Sequence, residues 1–140
     1  MNKENNIYQK LQLIQNKIGQ LKKDQFNKFQ NYRYVSEYDI FQKLRPLLSE
    51  QKLTLTFSDD INSFSFQSEK VEKEWIVKYL KKMMLTNSEN STEQLTYHFW
   101  AMGQNTDIAK AKGSAETYAI KYFLTKFFLI PVSEEDPDSK

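Results

Sequence analysis

Between Thr106 and Pro131 the chain carries no proline, and its apolar residues fall at three- and four-residue spacing: Ile108, Ala111, Ala115, Ala119, Tyr122, Phe123 and Phe127. That period defines a long amphipathic helix, and Pro131 stops it. The rest of the fold must pack against its apolar side. Asn105 or Thr106 is expected to cap its start, with Asp107 favouring the positive end of the helix dipole. Gly113 sits in mid-helix, where glycine costs about 1 kcal/mol against alanine. With Ser114 and Ala115 it forms a small-residue patch, whose physical use is close approach by a strand, a helix or a backbone. Lys110, Lys112, Lys121 and Lys126 stand along the helix. Beyond Pro131, SEEDPDSK reads as an acidic flexible tail over 133–140, leaving 1–132 as one domain.

Upstream, Ile7, Tyr8, Leu11, Ile14, Ile18 and Leu21 predict an amphipathic helix within 4–23, weakened near its end by Gly19, with Lys22 and Lys23 suiting its C-terminus. Residues 24–35, DQFNKFQNYRYV, hold no long period and are expected to form a loop. Aromatic and basic side chains interleave there: Phe26, Lys28, Phe29, Tyr32, Arg33 and Tyr34. Such a loop can stack bases and neutralise phosphates, or its aromatics can pin it to the core. Ser36 reads as an N-cap with Asp39 closing a capping box. The helix that follows runs to about Gln51, with Pro46 either kinking it or starting a new turn.

From Leu53 the period changes to two. LTLTF reads as a strand, Asp59–Asn62 as a turn, and Phe64 and Phe66 as the beginning of a second strand. Glu69–Glu74 reads as a charged connection. Trp75–Thr86 fits both periods. The turn chemistry of Asn87–Thr92 before the alternating Leu95–Trp100 favours a hairpin, and hence a strand. The expected fold is α+β: two N-terminal helices, then a three- or four-stranded antiparallel meander packed by the long final helix.

The 140 residues suffice to bury a core. The absence of cysteine excludes disulfides, thiolate zinc sites and a cysteine nucleophile. No stretch reaches the roughly 18 apolar residues of a membrane span, and MNKENNIYQK is too polar for a signal peptide, so a cytoplasmic address is expected. Net charge is only +2, but it is unevenly spread. Residues 1–58 carry ten Lys or Arg against five Asp or Glu, 59–102 five against seven, 103–132 four against two, and 133–140 one against four. A basic first part and a basic final helix can attract a polyanion without a high overall charge.

Catalytic signatures are missing. There is no GxxxxGK phosphate loop. His98 is the only histidine and lies in an alternating strand. The one Glu-x-Lys, Glu50–Lys52, sits at a helix end, and Asp59, Asp60, Glu72 and Glu74 fall in expected turns, where solvated charge is the default. No catalytic residue, metal site or cofactor is expected.

Several separate segments resemble the ERF ("essential recombination function") family of bacteriophage single-strand annealing proteins. They are Tyr32-Arg33-Tyr34-Val35-Ser36 before a helix, Leu44-Arg45-Pro46 within it, the Gly-x-Ala-x-Thr-Tyr-Ala-x-x-Tyr run at Gly113–Tyr122, the Phe128-Leu129-Ile130-Pro131 stop, and Asp136-Pro137-Asp138. The resemblance implies a β-β-β-α annealing core and ATP-independent annealing of complementary single strands in homologous recombination. It implies a homo-oligomeric ring or helical filament binding single-stranded DNA and an annealed duplex intermediate. A host single-strand-binding protein or a phage exonuclease is a further implied partner, and the setting is the bacterial host cytoplasm. Family members often carry a further C-terminal region, so this chain is expected to be a shortened or minimal form.

The motif match implies DNA contacts by Tyr32, Arg33, Tyr34, Arg45 and Tyr122, while Gly113, Thr117 and Tyr118 match the same motif and suit packing. Charge alone adds Lys28, Lys110, Lys112 and Lys121. Lysine and arginine would neutralise phosphates and Tyr32 or Tyr34 would support bases, leaving the pairing edges unread. Two other readings remain open: a single-strand binder without annealing activity, and a protein-interaction module on the same fold.

Overall fold

The computed structural model describes residues 4–23, 25–28, 32–61 and 66–133, with the backbone alone of 25, 27, 32 and 33. Phe29, Phe64 and the acidic stretch from 134 onward lie outside the described residues. The described chain is α+β, with three helices on one face of an antiparallel sheet.

Helix α1 spans Ile7–Lys17. Asn6 caps it in a reciprocal box with Gln9, at 2.9 and 2.8 Å. The expected helix over 4–23 is therefore shortened. Gly19 has φ +70°, the left-handed conformation that ends helices, and Ile18 is the cap. Leu21–Lys22 is instead a short strand, β1, and Lys22 does not serve a helix end.

The expected loop over 24–35 contains a hairpin. Gln25–Asn27 (β2) pairs antiparallel with Tyr32–Tyr34 (β3). Three-residue strands are too short for a period to register. Helix α2 spans Glu37–Glu50. Its Ser36–Asp39 capping box forms as expected, at 3.1 and 3.3 Å. The helix runs on through Pro46. Gln42, whose carbonyl loses its partner there, is exposed, so water can satisfy the oxygen.

Strand β4 is Leu53–Asp59, β5 Gln67–Val71, β6 Glu74–Asn87 and β7 Gln94–Asn105. The ambiguous 75–86 stretch is thus the sheet's central strand. Its odd residues Val77, Tyr79, Lys81, Met83, Leu85 and Asn87 are buried beneath the helices. One edge of β6 carries β7 along most of its length. The other edge is divided, with β4 on 81–87 and β5 on 74–78. The charged stretch 69–74 therefore contains most of β5, and only a two-residue turn connects it onward. That strand is exposed throughout, so it needs no apolar alternation.

Helix α3 is Ile108–Phe127. Its cap is Asp107, which accepts from the Ala109 and Lys110 amides, while Asn105 accepts from the Asp107 amide. At the far end Leu129 is left-handed (φ +53°), and the Leu129 and Ile130 amides bond back to the Lys126 and Thr125 carbonyls. Strand β8, Val132–Ser133, then pairs parallel with β1 and ties the end of the described chain to the segment that follows α1.

The close approach expected at Gly113 occurs elsewhere. A Cβ on Gly113 would meet nothing within 4 Å. A Cβ on Gly103 of β7 would stand 2.8 Å from the Ala111 carbonyl oxygen and from the Ala115 nitrogen. Helix and strand thus touch backbone to backbone, with Ala111, Ala115 and Ala101 fully buried around the contact. Farther along, Phe123 stacks on Phe99 at 4.3 Å and Phe127 meets Tyr97 at 5.1 Å. Ile120, Leu124 and Phe128 enter a core shared with Ile14 of α1, Leu44 of α2 and Leu85 of β6.

Two alanine substitutions separate these roles. Gly103→Ala should cost about 1–3 kcal/mol by overpacking. Gly113→Ala should gain about 1 kcal/mol of helix stability. Urea denaturation of the two variants checks both, and equal shifts would contradict the assignment of the contact to Gly103.

Candidate nucleic-acid interface

Helix α3 presents different chemistry on its two flanks. On one flank Lys121 lies between two tyrosine rings, with its Nζ 5.0 Å from the centre of Tyr34 and 4.8 Å from that of Tyr118. Both distances suit cation–π attraction. Tyr34 is delivered there by the fold, because β3 ends two residues before the Ser36 cap of α2. The start of α2 in turn faces α3. Burial raises the pKa of Glu37, the Glu116 charge raises it further, and Lys121 opposes both. One turn beyond Tyr118, Tyr122 is 68% exposed.

Tyr118, Tyr122 and Lys126 also line an open depression of about 470 Å³ with Phe99, Trp100 and Met102 of β7. An exposed aromatic surface edged by lysines can stack bases and meet phosphates.

The other flank is a closed charge network. Lys81 is 3% exposed and bonds Asp59 at 2.7 Å and Glu116 at 2.5 Å. Lys112 pairs with Asp59 at 2.9 Å and lies over the Tyr79 ring at 4.7 Å. The Tyr79 hydroxyl donates to the Lys112 carbonyl at 2.9 Å. Burial and then the charges of Glu116 and Asp59 push the Tyr79 hydroxyl pKa far up. Burial alone would raise Asp59, but the hydrogen bonds and charges of Lys81 and Lys112 outweigh it and hold the pKa below its usual value. Burial alone would likewise lower Lys81, and its two carboxylate partners raise it instead. Asp59 is therefore no solvated turn charge. It ends β4 and joins the sheet to α3 through two lysines.

The residues expected at the site are thus dispersed. Tyr34, Lys121 and Tyr122 share one flank of α3 or the depression beside it. Lys112 is engaged on the opposite flank, with its side chain 40% exposed. Lys110 is exposed in the first turn of α3, and Lys28 is exposed in the β2–β3 connection. Tyr32 and Arg33 are placed by their backbone only, opposite Asn27 and Phe26. Arg45 is exposed on α2 beside a shallow hollow with Gln42, Pro46, Leu48, Ser49 and Leu53. It lies eight residues beyond Glu37, about 12 Å along the helix axis. Tyr118, which suited packing in the sequence, turns out to hold Lys121 at the surface. Lys126 and Trp100 line the depression without having been expected there. The alternation of β7, with Phe99 inward, is the signal that turns Trp100 outward.

Among the described residues no group of His, Cys, Asp or Glu could hold a metal ion, and no helix is long and apolar enough to cross a membrane.

The fold and this surface define an α+β chain with a lysine–tyrosine flank on a long terminal helix. The model of the ERF superfamily matches residues 7–140, nearly the whole chain, and the protein belongs to that family. Membership points to recombination and strand annealing, in a family of annealing proteins not known as catalysts. No curated protein matches the chain.

The charge network makes stability depend on pH with a defined sign. The folded-state pKa of Asp59 is depressed, so its contribution is full above about 3.8 and is lost as pH falls through the folded value. The Lys81 pKa is raised, so its contribution is full below about 10.5 and is lost as pH rises through the folded value. Asp59→Asn should therefore lower the melting temperature at pH 7, with the gap from the parent closing as pH drops below 3.8. A gap of constant size down to strongly acid pH would show that the Asp59 charge plays no part.

Proposed function

We propose that the protein binds single-stranded DNA and anneals complementary strands without ATP, as an oligomeric recombination protein of the phage type. Membership of the ERF superfamily across residues 7–140 is the observation that carries this reading. The flank of α3 offers the chemistry to perform it. Lys121 supplies positive charge held in place by Tyr34 and Tyr118, and Tyr122 offers an open ring for a base. Lys110 on α3, Lys28 and Arg45 are further exposed basic side chains, dispersed over other parts of the surface. Lys112 contributes less, because Asp59 already takes its charge.

An annealer must neutralise phosphates while leaving the pairing edges of the bases open. Lysine contacts and ring stacking meet that demand, since neither reads a base edge. The formal charge of +2 per chain is small. A ring or filament of chains that lines up their basic flanks would add that charge along the strand. Partners of the recombination pathway, a host single-strand-binding protein or a phage exonuclease, belong to the same proposal.

The test is a fluorescence-transfer annealing assay with complementary oligonucleotides and no nucleotide cofactor. The protein should speed pairing at low salt and lose that effect as salt rises. Lys121→Ala should reduce single-strand affinity about fivefold or more and flatten the plot of log K against log salt by about 0.7. Binding without any gain in pairing rate would leave a single-strand binder in place of an annealer. The absence of binding by the parent chain would remove both.

A further inference from the structure

A carboxyl group adjoins the lysine–tyrosine flank of α3. Glu37 is the first residue of α2, next to the Ser36 cap and three residues beyond Tyr34. The Tyr34 ring centre is 5.0 Å from Lys121 Nζ, so the chain that leaves this ring leads directly into Glu37. Ile40 and Leu44 of α2 enter the same core as Ile120 and Leu124 of α3, which holds the start of α2 against this part of the helix. Tyr34, Glu37, Glu116 and Lys121 are all half-buried.

Two charges of α3 act on Glu37 with opposite sign, Glu116 and Lys121. They stand five residues, about 7.5 Å, apart along the helix axis, and Glu37 is close enough to feel both. Glu116 is bonded to Lys81 of β6, which Asp59 of β4 shares. On the side of β3 the neighbouring titratable residue is Tyr34, and within α2 Asp39 is turned back to the Ser36 amide. Lys121 is therefore the cation that favours a charged Glu37, against burial and against Glu116.

A phosphate that reaches Lys121 changes this balance. It takes up the ammonium that supports the carboxylate, and it adds a negative charge beside it. Half-buried charges are screened less by salt than exposed ones, so the repulsion persists under ordinary conditions. The carboxyl can relieve it by accepting a proton from solvent.

We infer that Glu37 competes with the phosphate of a bound strand for Lys121, and that its carboxyl takes up a proton when the strand binds. This rests on the single-strand binding proposed above and makes Glu37 the residue that limits affinity at that flank. The sign is fixed by linkage. The Glu37 pKa already lies above its ordinary 4.5 in the free protein, and the phosphate raises it further. Affinity is then highest below both values, falls as pH rises between them, and levels off above.

Titration of the full-length chain with a fluorescent oligothymidylate at constant ionic strength, between about pH 5 and pH 8, tests the competition. Parent affinity should fall as pH rises. Calorimetry in two buffers of different ionisation heat should show uptake of up to about one proton per chain in the falling part. Glu37→Gln should bind about threefold tighter than the parent near pH 8 and lose most of the slope and of the proton uptake. Glu37→Asp, which keeps the charge, should keep the slope. Any slope left in Glu37→Gln belongs to other groups, His98 among them. Circular dichroism checks that the variants fold, and proton uptake by the parent supplies the test if they do not. Parent-like affinity and slope in Glu37→Gln overturn the inference while leaving single-strand binding intact. Weaker binding by Glu37→Gln does the same, because the carboxylate would then support the site. So does binding by the parent without proton uptake across the range. The absence of binding by the parent overturns both readings.

Discussion

The backbone contact between α3 and β7 fixes the geometry of everything around it. Gly103 has no side chain, and Ala111 and Ala115 have only methyl groups, so the helix settles directly onto the strand. A larger residue at Gly103 would lift the first half of α3 and tilt the second. The aromatic stack of Phe99, Phe123 and Phe127 then clamps that second half. With the axis and rotation of the helix set at two places, Lys121 and Tyr118 are held beside Tyr34, and Lys112 and Glu116 face the Asp59–Lys81 pair. A single close approach thus decides which lysine pairs with Asp59 and which stands between the tyrosine rings.

The central strand plays the complementary part. From Val77 onward every second residue of β6 is buried, and one of them is a lysine. Burying that charge is tolerable because two carboxylates converge on it from β4 and α3. Removing both partners would leave the Lys81 charge unpaired where it is only 3% exposed, which is more costly than never having placed it there. The network therefore ties the sheet to the helix in one register. It also engages one of the lysines of α3, Lys112, through Asp59.

Long elements with a sustained period were legible in the sequence. Helix α3 and the alternation of β4 appear in the fold because each repeats one pattern over several residues, the Ser36 cap because its box is local, and the strand character of 75–86 because the turn chemistry after it decided between two periods. Short or exposed elements were not. The β2–β3 hairpin has three residues per strand, and β5 is exposed throughout, so neither leaves an apolar signature. Gly113 and Gly103 look alike in the sequence, and only packing shows which one the fold requires. Among site residues, the Tyr34 motif and the α3 lysines could be named in advance. The separation of Lys112 from Lys121 by their partners could not, since Asp59 meets Lys112 only through tertiary structure. Trp100 was visible as part of an alternating strand, but the Lys78 ammonium over its ring comes from the neighbouring strand and shows only in the fold.

The central claim is that a single strand lies against the lysine–tyrosine flank of α3. Photocrosslinking with a bromouracil-substituted oligonucleotide, read out by peptide mass spectrometry, tests it most directly. Adducts on the peptides carrying Tyr34, Tyr118 and Tyr122 are the predicted result. Adducts confined to α1 or to the Arg45 surface of α2 at saturating oligonucleotide would contradict it.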